Sequence, residues 1–128
     1  MASEYSPYVE RLGRIPGVRG AFVVSTRDGL VVDGRFSVGL RGPAVAALAA
    51  KLFNRAVRSL EGAGFGRVRF LQLDAADGRL VMAGDEDLLL VAVAEPRANL
   101  GLTRLETVRA ADEMLRTAGS AAGRRAER

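Results

Sequence analysis

The 128-residue chain contains no cysteine and no histidine. The first absence removes disulfides and thiolate chemistry and permits an intracellular setting. The second removes every catalytic triad with an imidazole base and most zinc sites. Only one of the 19 basic residues is lysine, a bias that a high-GC coding preference explains as well as phosphate binding does. Long apolar runs are missing too. Leu88 to Ala94, as long as any, is far below the roughly 20 residues that span a bilayer, so no membrane insertion is expected. Met-Ala-Ser-Glu-Tyr at the start has neither the basic flank nor the apolar stretch of a signal peptide. The expectation is a soluble cytoplasmic protein.

Of the formal charge of +4, residues 116–128 carry +3. The remainder is nearly neutral, so the pI near 10.6 does not describe a basic folded surface, and no nucleic-acid partner is expected. The length suits one domain with a core of its own, placed at residues 1–118. The rest, 119–128, lacks apolar anchors and reads as a flexible basic tail.

Ser6-Pro7 is a helix-start pair, with Val9, Leu12 and Ile15 at helical spacing and Pro16-Gly17 as the stop. Ala21 to Ser25 and Leu30 to Phe36 flank Thr26-Arg27-Asp28-Gly29 and read as a hairpin. Pro43 to Leu60 is strongly helical in pattern. Val45, Leu48, Leu52, Phe53, Val57 and Leu60 recur at three and four, and Lys51, Asn54, Arg55 and Arg58 gather opposite. With its alanines the apolar sector reaches about half the circumference, more than the stripe of about 100° that one packed face needs. A cover besides the sheet is therefore expected.

Three runs follow, Arg67 to Asp74, Arg79 to Gly84 and Asp87 to Ala94, joined by short turns into an antiparallel meander. The last hardly alternates and belongs in the middle of the sheet. The final helix has two candidate starts, Asn99 and the capping-box pair Thr103 and Glu106. The phase of Leu105, Val108, Ala111, Leu115 and Ala118 extends back through Leu102 and favours Asn99. Gly101 then reads as a position where the first turn approaches the sheet closely.

Catalytic signals are weak. Gly62, Gly64 and Gly66 follow a helix and precede a strand, the reverse of a dinucleotide loop, and read as a helix terminator. Asp85-Glu86-Asp87 lacks the spaced ligands of a calcium loop. Ser25, Ser37 and Ser59 have no histidine base. The reading is no catalytic residue, no cofactor and no metal. Lys51, Arg55 and Arg58 share one helical face and suit an acidic partner, beside the plainer reading of a solvated face.

The order helix, two strands, helix, three strands, helix, with Asp28-Gly29-Leu30 after the first strand and Leu100-Gly101-Leu102 leading into the last helix, resembles the roadblock/dynein light chain family. Within it the chain is similar to bacterial regulators of small Ras-like GTPases. The resemblance implies an α+β, three-layer α/β/α fold with a five-stranded antiparallel sheet, the second helix on one face and the first and last on the other. It further implies homodimers or heterodimers joined through the second helix and third strand. Ala46, Ala50, Phe53 and Val57 would then form the helix-to-helix contact, and Val68 and Phe70 would lie on the strand that pairs across a two-fold axis. It implies a regulator without an active site of its own, acting as a homodimer on one GTPase by reorienting the GTPase's residues, with Lys51, Arg55 and Arg58 as partner contacts. A non-catalytic roadblock adaptor or scaffold in a signalling complex is the alternative. A small-ligand sensor is a third reading, disfavoured because nothing polar converges in the expected core.

Overall fold

The elements follow the expected order: α1 (Ser6–Gly13), β1 (Val18–Ser25), β2 (Val31–Phe36), α2 (Gly42–Gly62), β3 (Phe70–Ala75), β4 (Gly78–Gly84), β5 (Leu88–Ala94) and α3 (Leu100–Ala126). The computed structural model describes residues 3–126, with side chains to residue 119. The strands form one antiparallel sheet in the order β2-β1-β5-β4-β3. β5 is central and almost wholly buried, which is why its sequence is apolar at consecutive positions. This is the three-layer α+β architecture that the resemblance implies.

Each face of the sheet has its own core. Val9 and Leu12 of α1 and Ala110, Ala111 and Met114 of α3 cover Ala21, Val23, Val81, Ala83, Leu90 and Ala92. On the other side Ala46, Ala49, Ala50 and Phe53 of α2 cover Phe22, Val24, Met82, Leu89 and Val91. The sheet contributes the bulky side chains to this second layer, so the helix contributes small ones and lies close. The alanines of α2 thus mark its contact with its own sheet.

The turn between β1 and β2 fixes where α2 lies. Gly29 takes φ +74°, the left-handed region where glycine has no steric penalty, and Leu30 N–H donates to Asp28 Oδ1 at 3.1 Å. A side chain at Gly29 would meet the backbone of Ala47 at 3.1 Å, so helix and turn are in direct contact. Asn54 Nδ2 ties them again, donating to the Thr26 carbonyl at 2.7 Å. Thr26 itself is buried and its hydroxyl has no hydrogen-bond partner among the described residues. Desolvating a hydroxyl without a partner costs about 1–3 kcal/mol. Thr26→Val is therefore expected to raise the unfolding free energy by about 1 kcal/mol in urea melts. An equal loss would mean that the hydroxyl has a partner.

α3 begins at Asn99, whose Oδ1 accepts from the Leu102 N–H at 2.9 Å. Thr103 makes no second start. Its hydroxyl donates back to the Asn99 carbonyl at 2.8 Å, and Thr107 repeats this to the Thr103 carbonyl at 2.6 Å. With their hydroxyls satisfied inside the helix, both threonines are buried with Ala110, Ala111 and Met114. The expected phase needs correction here: Leu102 and Leu105 face outward, 40% and 45% exposed. Gly101 is exposed as well, and a side chain there would meet only Asn99 Oδ1 at 3.5 Å, so no close approach to the sheet explains it. The backbone helix runs past the expected boundary at Ala118 to Ala126, as the helix propensity of alanine and arginine allows. Positions 127 and 128 of the expected tail lie outside the described residues.

α1 is fastened on two sides. Arg11 pairs with Glu106 at 2.8 Å and Glu113 at 3.1 Å, joining α1 to α3. Toward β2, Ser6 does not cap its own helix. Instead, the hydroxyls of Ser3 and Ser6 both donate to Asp33 Oδ2, at 2.5 and 2.7 Å. Partial burial pushes the Asp33 carboxyl up, but the two hydroxyls, the Gly34 amide and the Arg35 charge outweigh it and hold the group below the ordinary aspartate range. A depressed carboxylate contributes stability above its unfolded pKa and loses it as pH falls through the folded value. The stability difference between the wild type and Asp33→Asn should therefore be constant from about pH 7 to 5 and shrink below about pH 4, as measured by urea midpoints. A difference that instead grew on acidification would contradict this arrangement.

Candidate functional site: the α2 face and the β3 edge

The candidate surface is built from the side of α2 turned away from its sheet. Lys51, Arg55 and Arg58 are exposed along its crest, and none of them has an ion pair among the described residues. Lys51 and Arg58 also line an open groove of about 520 Å³ with Arg27, Asp28 and Asn54. Arg55 is not part of that groove. Arg27, which the sequence pattern did not single out, enters because the hairpin turn packs against α2, and it is also paired with Asp87 at 3.1 Å.

One flank of α2, at Ala50 and Asn54, meets the hairpin turn. The opposite flank carries Val45, Leu48 and Leu52. Val45 and Leu52 are only partly covered by the α2-side core, and Leu48 is 48% exposed. On the sheet the same layer is bounded by half-buried Leu71, Leu80 and Val93. Leu73, two residues from Leu71 and so on the same face, is 38% exposed opposite Leu80. The surplus apolar arc expected from the sequence therefore exists, on the flank of the leucines.

The proposed contact residues divide accordingly. Ala46, Ala50 and Phe53 are at most 3% exposed and packed on their own sheet, so they offer no surface to a second helix. Phe70 belongs to the opposite face, where it packs against the α1 and α3 core with the Arg104 guanidinium 5.1 Å from its ring centre. Val57 and Val68 remain half-buried and meet in a hollow of about 270 Å³ beside Asn54, Arg67 and Glu86. The sequence contained the needed signal in Leu48 and Leu52, but small residues suggested a helix pair when they in fact permit close packing on a sheet of large side chains.

The two edges of the sheet differ. β2 is bulged, because Val23 lies opposite Asp33 and Val24 opposite Val31, which leaves Val32 as the extra residue. Bulges twist an edge away from further pairing. β3 pairs with β4 in unbroken register from Phe70 to Ala75 and has no neighbouring strand on its outer side among the described residues. Beside it the acidic turn is occupied locally: Asp85 Oδ1 accepts from the amides of Asp87 and Leu88, and Glu86 pairs with Arg67. Among the described residues no group of acidic side chains is arranged to hold a metal ion, and no helix is long and apolar enough to cross a membrane.

The model of the Roadblock/LC7 domain matches residues 8–94, and the chain belongs to this family. A protein of Methanocaldococcus jannaschii is 30% identical over 103 residues, covering 80% of this chain and 86% of the relative. Among solved structures, MglB of Myxococcus xanthus superposes with a TM-score of 0.81 at 20% identity, covering 92% of this chain and 97% of MglB. An MglB with a tetrameric arrangement superposes with the same TM-score of 0.81 at 22% identity, covering 94% and 95%. The likeness to MglB extends beyond the family match and takes in α3. The chain thus has the fold of MglB.

Proposed function

We propose that this protein is a homodimeric regulator that binds a small Ras-like GTPase and stimulates its GTP hydrolysis. The observation that carries the reading is the incompletely covered apolar flank of α2, Val45, Leu48 and Leu52, beside a sheet layer that ends in half-buried and exposed leucines. A second copy related by a two-fold axis would cover that flank with its own α2 and continue the sheet from the unbulged β3 edge. The two crests would then form one platform with Lys51, Arg55 and Arg58 repeated on each side.

Activation would be indirect. GTP hydrolysis needs a positioned water and stabilised charge, which a regulator supplies either by an arginine in trans or by ordering the GTPase's own residues. Arg55 and Arg58 are exposed and have no ion pair among the described residues to fix their direction, so ordering is the mechanism this surface supports. The test is single-turnover phosphate release with a Ras-like GTPase from the same cell. The protein should raise the rate by at least about tenfold, and a Lys51→Glu, Arg55→Glu, Arg58→Glu variant should lose that effect. Binding without a rate change would remove the activation claim and leave an adaptor.

A further inference from the structure

We propose that the depression between α1 and the β1–β2 hairpin binds a small ligand carrying a diphosphate group. The depression holds about 400 Å³ and is lined by Arg14 at the end of α1, Arg19 of β1 and Arg35 of β2, with Glu10 its one carboxylate. Arg35 is paired with Glu10 at 3.0 Å. Arg14 and Arg19 have no ion pair among the described residues. That is a local property, since Arg11 one turn back along the same helix is held by two glutamates.

The three lining guanidiniums outnumber the one lining carboxylate, which leaves the depression net positive and suited to an anion. Their planar forks suit phosphate oxygens bidentately. The C-terminal carbonyls of α1 add roughly half a negative charge nearby, which weakens the site for any anion, but the surplus of arginines over Glu10 still leaves enough positive charge for a ligand with two or more negative charges. The floor is Gly20 and Ala21, which present almost no side chain, and the volume is within the range of about 300–1,000 Å³ of small-ligand sites. Ser37 lines the rim and has a hydroxyl to donate. The depression lies at β2, the edge farthest from β3, so it stays open whether or not two copies join along β3. It does not depend on the GTPase reading.

The experiment is calorimetric titration of the full chain with inorganic pyrophosphate at low ionic strength, where screening is weak. Binding should saturate at one ligand per chain. Arg14→Gln with Arg19→Gln should weaken it by about tenfold or more with an unchanged melting temperature, both residues being exposed. Glu10→Gln should tighten it, because it removes the competing carboxylate and frees Arg35. Lys51→Gln with Arg58→Gln, on the other basic surface, should leave it unaltered. A second arm uses a purine nucleoside diphosphate. Affinity equal to that of pyrophosphate assigns the site to a free diphosphate, and clearly tighter binding assigns it to a nucleotide. No saturable binding, binding that survives the loss of Arg14 and Arg19, or binding of an oligoglutamate peptide but not pyrophosphate would each overturn the proposal.

Discussion

Leu48→Glu is expected to yield a folded monomer. Leu48 is 48% exposed within the subunit, so the substitution leaves the α2-side core intact. In a helix pair the same position would lose water, and a carboxylate desolvated without a partner costs several kcal/mol. Self-association should weaken by about a hundredfold or more, at about 1.4 kcal/mol per factor of ten, with the circular dichroism spectrum unchanged. Sedimentation velocity across a concentration series measures this, and a variant that stays dimeric moves the contact elsewhere. Ala50→Glu behaves differently. Ala50 is 3% exposed in the layer between helix and sheet, so a carboxylate there is expected to disrupt folding instead of selectively preventing association.

Phe53→Ala removes the largest side chain that α2 contributes to its core. Phe53 is 1% exposed and packed with Phe22, Met82, Leu89 and Val91. Truncation of a buried phenylalanine costs about 3–5 kcal/mol, a large part of the 5–15 kcal/mol typical of a domain. Urea unfolding at fixed protein concentration should show the midpoint falling with little change in slope. A cost below about 1 kcal/mol would mean that α2 settles onto the sheet to fill the space.

The layout was legible where local chemistry and periodicity agreed. Asp28-Gly29 marked the hairpin, the unalternating Leu88 to Ala94 marked the central strand, and Gly64, at φ +84°, marked the end of α2. What remained hidden was rotation about helix axes. On α3 the expected phase holds at Ala111 and Leu115, which lie on the core, but in the first turns Thr103 and Thr107 are buried in place of Leu102 and Leu105, because a threonine that bonds its own helix backbone is effectively apolar toward the sheet. On α2 the alanines suggested a helix pair, yet small side chains also fit beneath a helix that crosses large strand residues. Both errors arise because the choice of buried face depends on the side chains of the facing layer, and those come from distant parts of the chain. The role of Ser6 was hidden for the same reason, since its acceptor, Asp33, is 27 residues away.

The crest of Lys51, Arg55 and Arg58 was readable from spacing alone, because an exposed face needs no partner to define it. Its proposed role does need one. In the proposed dimer, two crests side by side, set by a shared helix layer and a shared sheet edge, would give a GTPase a surface that one subunit lacks. The leucine flank of α2 is thus the physical basis of the regulatory reading as well as of assembly. Sedimentation equilibrium of the wild-type protein tests it most directly. The account predicts twice the chain mass of 13.6 kDa at micromolar concentration, and a single-chain mass that persists at the highest soluble concentration would contradict it.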